Sequence, residues 1–363
     1  MSMSREKHTI RKVKKNHDEK SWRLKIRHKR KVRTKRKSLL GLSRVQIKKQ
    51  NDFKHRFSGY QVIKAPLYFS FVENPDQVLS FIAQLTLALN RRRRVFVKLK
   101  DVTYISNDAL VLLLSNVIQF KAAKIDFNGD RPNNKDIARQ VEESGFYSIL
   151  YSRKDIELNN EVSINRDLIV THGKKNVDSE LTAKLIHDSS SYLWGEPQRC
   201  QGVQRIFIEL MQNTNNHASH TVGDKYWWLS VSRKEHPNRL CFAFIDYGMG
   251  IFNSLRSKRP GEKFFGWMDK LKSIIDTTKN SSVLRSMLSG EFHRTVTRMY
   301  YRGKGLPGIY HELEKKSITK LVVISNDAYA DPINDKYYDL PNKLDGTFVY
   351  FEVDNSCKHL NEI

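Results

Sequence analysis

The sequence predicts an α/β protein in which a basic N-terminal arm precedes two globular domains. Three observations support this class: helix-like and strand-like patterns alternate from residue 60 onward, apolar residues make up 39% of the chain, and positive charge is concentrated at the N-terminus. A chain of 363 residues with this apolar content can bury one or two cores. The expected divisions are an arm (1–57), a first domain (58–150), a connector (151–178) with one strand around Leu168 to Thr171, a second domain (179–355) and a tail (356–363).

The arm is defined by its charge. Residues 1–57 contain 22 Lys or Arg against 4 Asp or Glu, a net charge of +18 out of +25 for the chain. Because like charges repel and few apolar side chains offset chain entropy, we expect the isolated arm to be disordered. Nucleic acid is the expected partner, since phosphate neutralisation releases counterions. A merely solvated tail, or one that meets the ribosome, an acidic protein or an anionic membrane, is the alternative.

Composition also limits the setting of the chain. No apolar run approaches the roughly 18 to 20 residues that span a bilayer, and the basic N-terminus lacks a following apolar stretch, so we expect a cytoplasmic protein without membrane contact. Cys200, Cys241 and Cys357 show no CxxC spacing, which argues against a disulfide framework or a zinc site.

The first domain should begin with a β-α-β unit. A strand-like segment, 62–72, precedes Asn74-Pro75-Asp76. Asn74 is a candidate helix cap, Pro75 suits the first turn of a helix, and Asp76 places an acidic side chain at the helix N-terminus. Apolar residues then recur on one helical face from Val78 to Leu89, and Val95 to Leu99 is typical of a buried strand. The alternation continues with a helix (about 107–121), a strand (about 123–128) and a helix from Pro132 to about 143.

Within this domain, "VFVKLKDVTYISNDALVLLLSNVIQF", followed by "KIDFNGDRP" and "QVEESGF", resembles a STAS domain. The resemblance covers roughly residues 60–150 and implies a protein partner. STAS switches carry an Asp-Ser-Ser-Gly run whose second Ser is phosphorylated at a helix start, and Ser106-Asn107-Asp108-Ala109 stands there in this chain. Asp108 therefore occupies the acceptor position, where a carboxylate mimics the charge and favours a docking role. Capping of the helix by Asn107 and Asp108 is the alternative.

The second domain should combine helices with a hairpin and two later strands. We expect helices at about 179–193, 202–218 and 306–316, and strands at about 226–232, 239–245, 319–325 and 347–353.

The helix "RIFIELMQNTNNHA" places Glu209, Asn213 and His217 on one stripe, because they recur every four residues. A carboxylate one turn before a carboxamide suits a magnesium nucleotide, since the amide oxygen can ligate Mg²⁺ and the carboxylate can orient or deprotonate water. A solvated polar face is the alternative interpretation.

Two glycine-containing segments follow. In "LCFAFIDYGMGI", a strand ends on Asp246 and continues into Gly248 and Gly250, so a carboxylate and a closely approachable backbone meet at a sheet edge. In "RGKGLPGI", Gly303, Lys304 and Gly305 precede a helix, whose N-terminal amides favour phosphate. Plain turns are the alternative for each segment. A last segment, "DGTFVYFEV", places Gly346 and Thr347 at the start of a strand.

In this order the four segments resemble the N, G1, G2 and terminal boxes of the GHKL ATPases (gyrase, histidine kinase, MutL). The resemblance covers about residues 179–354 and implies a Bergerat-fold α/β sandwich, a mixed and mostly antiparallel sheet covered by helices, that binds ATP and Mg²⁺. The resemblance implies that Glu209 is the catalytic base or water-orienting residue and that Asn213 is a Mg²⁺ ligand. It implies that Asp246 accepts a hydrogen bond from the adenine amino group, with Thr347 in the same hydrogen-bond network and Gly248 and Gly250 beside the base. Beside the phosphates it places Gly303, Lys304 and Gly305.

The resemblance further implies a lid over about residues 252–302, with Arg285, Arg294, Arg298 and Arg302 as candidate phosphate contacts. His187-Asp188 superficially resembles the phospho-acceptor box of histidine kinases, but only about 22 positions separate it from Glu209, which favours a surface histidine. The run Tyr226-Trp227-Trp228 is explained more simply by strand burial than by base stacking.

The function expected from these observations is an ATPase that acts as a nucleotide-driven conformational switch, within one chain or between two protomers of a homodimer. A serine/threonine kinase like the anti-sigma-factor kinases, and a nucleotide-sensing module without significant turnover, are the alternatives.

Overall fold

A computed structural model of the chain describes residues 19–32, 56–151, 162–165, 168–174, 177–217, 226–257, 268–292 and 305–357. The chain divides into two compact units, Met1–Tyr60 and Gln61–Ile363. The second unit contains helices together with parallel and antiparallel sheets, which confirms the predicted α/β class. Apart from residues 58–60, the two segments expected as globular domains both belong to this second unit.

In the first unit, residues 19–32 form a helix, α1. Its side chains are mostly exposed, and Arg23 Nη2 lies 2.7 Å from Glu19 Oε1, one turn earlier. Pairs at this spacing support a helix even in a basic segment. Residues 19–32 are thus described as a helix, and the rest of 1–55 lies outside the described residues. Disorder of the isolated arm stays a prediction.

The elements of the second unit follow in chain order. Its helices are α2 (Pro75–Asn90), α3 (Asn107–Ala122), α4 (Lys135–Glu143), α5 (Phe146–Tyr151), α6 (Ser179–Trp194), α7 (Gln201–His217), α8 (Gly250–Arg256), α9 (Met268–Thr277), α10 (Asn280–Leu288) and α11 (Leu306–Glu314). Its strands are β1 (Gln61–Lys64), β2 (Tyr68–Phe69), β3 (Val95–Lys98), β4 (Tyr104–Ile105), β5 (Phe127–Gly129), β6 (Val162–Asn165), β7 (Leu168–Lys174), β8 (Tyr226–Lys234), β9 (Arg239–Asp246), β10 (Lys320–Asp331) and β11 (Lys336–Asp354).

The first part of this unit, which we call the N-terminal layer (residues 61–151), contains two small parallel sheets, β1-β3-β5 and β2-β4. Its predicted helices are present, with one boundary moved. Helix α4 begins at Lys135 rather than at Pro132, because Asn134 Oδ1 accepts hydrogen bonds from the amides of Asp136 (2.9 Å) and Ile137 (3.3 Å). An asparagine that caps in this way fixes where the helix starts.

The second part contains a six-stranded sheet in the order β10-β11-β9-β8-β7-β6, in which every neighbouring pair is antiparallel. The strand predicted near Leu168 is β7, and it pairs with β8. Strand β6 was not predicted, and both strands come from the segment expected to be a connector. Segment 151–178 thus contributes the edge of the large sheet.

Strands β10 and β11 are longer than predicted, because their hairpin continues past the expected ends at 325 and 347. The register shifts between Ser325 and Asn326 and again between Asn326 and Ala328, and pairing then continues to Asp331 and Lys336. The sequence between the predicted strands contains two prolines and many polar residues, which is typical of a loop. Pairing with a partner strand overrides this local pattern.

Strand alternation gives the large sheet two buried faces. One face carries Phe242, Phe244 and Phe351, and it packs against α6, α7, α8, α10 and α11. The opposite face carries Trp228, Ile245 and Phe348, which join the core of the N-terminal layer. Strands β8 to β11 are therefore buried between helices on one side and the N-terminal layer on the other.

Candidate nucleotide-binding site

Helix α7 presents the first candidate site residues. Ile206, Phe207 and Met211 face the core, which leaves Glu209 and Asn213 partly buried at its margin, as the four-residue spacing predicts. The Oε2 atom of Glu209 accepts a hydrogen bond of 2.7 Å from the backbone amide of Gly305. Two of the four predicted segments, 96 positions apart, therefore meet directly.

Gly305 is the residue before α11 and has φ +69° and ψ −146°. This backbone conformation strains residues that carry a Cβ, so the position favours glycine. Pro307 lies in the first turn of α11, where a missing amide hydrogen costs no helical hydrogen bond. The Glu209 carboxylate thus caps the amide end of α11, where a helix favours negative charge.

A row of four side chains crosses the helix-covered face of the sheet on neighbouring strands. Thr347 pairs with Asp246, Asp246 pairs with Trp227, and Ser325 pairs with Thr347. Because paired residues point to the same face, the predicted adenine contacts Asp246 and Thr347 lie side by side. The Oγ atoms of Ser325 and Thr347 are 2.9 Å apart and hydrogen bonded.

Gly346, which precedes Thr347, lies against the backbone of Asp246. A Cβ on Gly346 would stand 1.8 Å from the Asp246 carbonyl oxygen, and Gly346 has φ +139°. Only glycine is compatible with both features. The segment predicted as the terminal box therefore holds the strand end that carries Asp246.

Gly248 and Gly250 lie in the turn that leads from β9 into α8. The amide of Gly248 donates to the carbonyl of Asp345 at 3.4 Å, and Gly250 has φ +68°. A Cβ on Gly250 would lie 2.6 Å from the side-chain amide of Asn326. Gly250 thus lies where a side chain would overlap Asn326, whereas a Cβ on Gly248 would make only an ordinary contact, 3.6 Å from Asp246 Oδ1.

Two residues that sequence reasoning missed, Ser325 and Asn326, hold this turn. Ser325 Oγ accepts a hydrogen bond from the amide of Ile251 (2.9 Å), and Asn326 Oδ1 accepts from the amide of Phe252 (3.1 Å). Asn326 Nδ2 also donates to the carbonyl of Met249 at 2.8 Å. Their signal in the sequence was a Ser-Asn pair at the end of an apolar strand, which by itself indicates only a turn.

Trp227, at the end of the row, is 1% exposed, and Trp228 is also buried. Burial by strand alternation, the simpler interpretation of this aromatic run, is confirmed for both residues. The indole Nε1 of Trp227 is buried and, within the part of the chain that is described, has no hydrogen-bond partner. Such a donor normally meets water or a ligand.

The predicted phosphate and metal contacts are only partly described. Gly303 and Lys304, together with Arg294, Arg298 and Arg302, lie outside the described residues. The described ranges contain no group of three or more His, Cys, Asp or Glu that could hold a metal ion.

The predicted lid is wrong for residues 280–288. Helix α10 buries Val283, Leu284 and Leu288 in the core beside β10, and Arg285 Nη2 lies 2.7 Å from Asp335 Oδ1. Arg285 therefore contacts the end of the β10–β11 hairpin rather than standing ready for phosphate. The apolar spacing of α10 decides this, because a helix with a buried apolar face packs in place.

The turn after Asp246 is also held from the opposite face of the sheet. The hydroxyl of Tyr247 lies 2.5 Å from Ser115 Oγ and 3.5 Å from Asn116 Nδ2, both on α3. Burial raises the pKa of the Tyr247 hydroxyl well above its ordinary value, although hydrogen bonds from these two side chains lower it slightly.

Asp108, predicted in the phospho-acceptor position, is only 7% exposed. Its Oδ2 atom accepts hydrogen bonds from the amides of Phe71 (2.8 Å) and Val72 (3.3 Å), and burial raises its pKa. The carboxylate thus joins the start of α3 to the segment before α2. It is not placed as a surface docking charge, nor does it cap its own helix as Asn134 does.

His187 and Asp188 are exposed on α6, and His187 Nδ1 lies 3.4 Å from Asp188 Oδ1. The interpretation as a surface helix histidine is confirmed. Cys200, Cys241 and Cys357 are free thiols, and burial raises the pKa of each to about 11.

Comparisons of this chain with protein-family models, with curated proteins and with solved structures found no match. None of the helices in the described ranges has both the length and the apolar character needed to span a bilayer.

Proposed function

We propose that this chain binds ATP with Mg²⁺ between α7, the turn after β9 and the start of α11, and hydrolyses it as a conformational switch. In this proposal the large sheet and its helices form a Bergerat-type nucleotide domain of the GHKL kind. The N-terminal layer is the STAS-like partner, and the protein acts in the cytoplasm.

The observation that carries the proposal is the hydrogen bond between Glu209 Oε2 and the Gly305 amide. It joins the proposed catalytic carboxylate to the helix start that is proposed to face phosphate. Helix α7 also packs against α8, which follows the Asp246 turn, so three of the four segments lie on connected elements. Such convergence is expected of one site and is not needed for the packing of an ordinary core.

The residues present fit a bound purine nucleotide. Asp246 at the end of β9 and Thr347 inside β11 form adjacent polar positions, and Gly346 allows the backbone behind them to approach closely. An aspartate of this kind accepts a hydrogen bond from an exocyclic amine, and the glycine turn leaves room for a flat base. The buried indole donor of Trp227 adds a further polar atom to the row.

Each remaining role follows from the chemistry of the side chain. Asn213, one turn after Glu209, supplies an amide oxygen suited to Mg²⁺. Glu209 supplies a carboxylate that orients water or accepts its proton, a role that such residues fill in phosphoryl transfer. The Gly305 amide and the N-terminus of α11 favour phosphate, and Gly303 and Lys304 directly before them extend this anion-binding segment.

The contact between Glu209 and Gly305 also suggests how the site changes state. The carboxylate occupies the amide that phosphate is proposed to meet, so the nucleotide competes with Glu209 for it. Once released, Glu209 is available for water. In this proposal the exchange couples nucleotide binding to a movement at the start of α11.

The decisive experiment measures binding and turnover of ATP labelled on its γ-phosphate by the full chain with Mg²⁺. We expect ATP binding and release of labelled phosphate, and Asp246→Ala should raise the Kd for ATP about 10- to 100-fold, as for loss of a hydrogen bond to a charged group. Asp188→Ala, which removes an exposed carboxylate from α6, is the matched control and should leave the Kd unchanged.

The outcomes separate the proposal from its alternatives. No ATP binding, or binding that Asp246→Ala leaves unaltered, contradicts it. Transfer of label to protein favours the serine/threonine kinase, and binding without release favours a nucleotide-sensing module.

We also propose that residues 1–57 bind nucleic acid. The support is the concentration of charge there, 22 basic against 4 acidic residues, together with the exposed basic side chains of α1. Cations on an exposed helix can approach phosphates directly, because no other part of the protein has to unfold first.

A further inference from the structure

The middle of helix α3 in the N-terminal layer carries two buried polar residues among apolar neighbours. Ser115 is 0% exposed and Asn116 is 2% exposed, while their neighbours Leu112, Leu113 and Leu114 are fully buried. Polar side chains at such positions are costly unless they are hydrogen bonded. Their presence therefore calls for a partner.

Local bonds satisfy these side chains in part. Ser115 Oγ and Asn116 Nδ2 each lie 2.8 Å from the Leu112 carbonyl of their own helix. Both side chains also meet the Tyr247 hydroxyl, at 2.5 Å and 3.5 Å. Tyr247 is 132 positions from Ser115 in the sequence and enters the core of the N-terminal layer from the end of β9.

Tyr247 lies between Asp246 and Gly248, the residues proposed to face the base. Alternation along β9 directs Asp246 toward the helices and Tyr247 toward the N-terminal layer, so α3 holds the turn from behind. From the other side, Ser325 and Asn326 hold the following residues. The backbone that carries Asp246 is thus fixed from both faces of the sheet.

The shape of this contact favours positioning over simple packing. A phenylalanine at 247 would fill the same space without placing a hydroxyl between two buried polar side chains. Hydrogen bonds are directional, so the Ser115 contact defines the position of the Tyr247 ring along α3. At neutral pH the Tyr247 hydroxyl is protonated and able to donate, as it would be even at the ordinary pKa of tyrosine, and burial raises that pKa further.

We propose that Tyr247, held by Ser115 and Asn116, is a positioning residue for base recognition that sets the direction of the Asp246 carboxylate. The N-terminal layer then contributes to the preference for a purine that carries a 6-amino group. This inference rests on the proposed ATP site and adds to it the origin of base selectivity.

The test measures the Kd of the full chain for ATP and for purine riboside 5′-triphosphate, which has hydrogen in place of the 6-amino group. The wild type should prefer ATP by about tenfold or more, as for one hydrogen bond to a charged acceptor. Tyr247→Phe should bring the ratio of the two Kd values close to one, mainly by weakening the binding of ATP, while the Kd for the analogue changes little. A general loss of stability would weaken both nucleotides alike.

Tyr329→Phe is the matched control. The Tyr329 hydroxyl donates to the Val72 carbonyl at 3.3 Å and is buried between the same sheet and layer, but it lies away from Asp246. Tyr329 pairs with Tyr338 and so is not in the row of Ser325, Thr347 and Asp246, and removal of its hydroxyl should leave the ratio unchanged. Ser115→Ala should lower the ratio in the same direction as Tyr247→Phe, and the two changes should not add, because they break one contact.

The outcomes also distinguish this inference from the proposed function. If Asp246→Ala abolishes the ratio while Tyr247→Phe and Ser115→Ala preserve it, the ATP site stands and the positioning role is wrong. A wild type that does not distinguish the two nucleotides overturns the inference as well. If the wild type binds neither nucleotide, the proposed function itself fails. Should Tyr247→Phe not fold, the ratio for Ser115→Ala decides the matter.

Discussion

Glu209 Oε2 accepts a 2.7 Å hydrogen bond from the Gly305 amide, so the proposed catalytic carboxylate caps the helix start proposed to bind phosphate. This relationship explains how two segments with little individual meaning in the sequence form one feature in space. It also means that Glu209 and a bound phosphate compete for this amide, because one N–H group cannot donate a full hydrogen bond to both at the same time.

The first prediction concerns Glu209→Gln. The amide oxygen of glutamine can still accept from Gly305, so the variant should fold and bind ATP. Phosphate release should fall by about 10²- to 10⁴-fold, because an amide cannot accept the proton of water. Binding is checked by calorimetry and release by single-turnover assay.

The control for this change is Glu314→Gln, which neutralises an exposed carboxylate beside His311 on α11. It should leave release unchanged. Release by Glu209→Gln at the wild-type rate would remove Glu209 from the proposed mechanism.

The second prediction concerns Gly346→Ala. Its Cβ would overlap the Asp246 carbonyl oxygen and its φ is +139°, so the free energy of unfolding should fall by about 3 kcal/mol. Gly195→Ala is a matched control, because Gly195 has φ +77° but open space around its Cβ. That control should lose only about 1 kcal/mol. Urea unfolding measures both, and equal losses would contradict the close approach at Asp246.

The third prediction concerns Asn326→Ala. The variant loses the bonds to the Phe252 amide and the Met249 carbonyl, so the turn after Asp246 should loosen. Hydrogen exchange at residues 249–252 should accelerate, and the Kd for ATP should rise about tenfold, as for roughly 1.4 kcal/mol of lost ordering.

Asn334→Ala serves as its control, since Asn334 bonds only Asp331 at the hairpin end among the contacts described for it. This control should leave both measurements unchanged. An unaltered exchange rate in Asn326→Ala would show that other contacts hold the turn.

The fourth prediction concerns pH. Burial raises the pKa of Asp108 above its value in the unfolded chain, although hydrogen bonds from Ser106, Phe71 and Val72 oppose the shift. A carboxyl with a raised folded pKa binds its proton more tightly when folded, so its contribution to stability should improve as pH falls from 7 toward about 4.

The difference in unfolding free energy between wild type and Asp108→Asn isolates this contribution, because asparagine does not titrate. In urea titrations at each pH, the free energy of unfolding of the wild type should rise relative to that of the variant as pH falls through this range. If the free energy of unfolding of the wild type instead fell relative to that of Asp108→Asn as pH falls, the fold would stabilise the ionised form of the Asp108 carboxyl.

The fifth prediction concerns the arm. Removal of residues 1–57 should abolish nucleic-acid binding and its dependence on salt, because +18 of the net charge is lost. Thermal unfolding of the remaining chain should be unchanged, since the second compact unit begins at Gln61. Fluorescence anisotropy with labelled DNA and RNA at several salt concentrations provides the measurement. An unchanged affinity would refute the arm as the binding element.

The elements that local patterns specify were predictable. Apolar spacing, together with Pro75 in the first turn of α2, placed α2, α6 and α7 within a residue or two, although the Asn74 side chain does not cap α2 as predicted. The alternating residues of 239–245 defined β9. These features depend on neighbours in the sequence, because helical and strand periodicity decide which side chains share a face. The placement of Asp246 at the end of β9 and of Glu209 one turn before Asn213 follows from the same rule.

The sequence by itself therefore determined the α/β class, most elements and the residues at their ends. Tertiary structure alone decided that β10 and β11 continue through a polar segment and that α10 packs in the core with Arg285 at a hairpin end. It also decided that Ser325 and Asn326 hold the turn after Asp246. Such outcomes depend on residues distant in the chain, because long-range hydrogen bonds and packing form only once the sheet and its two covering layers are assembled.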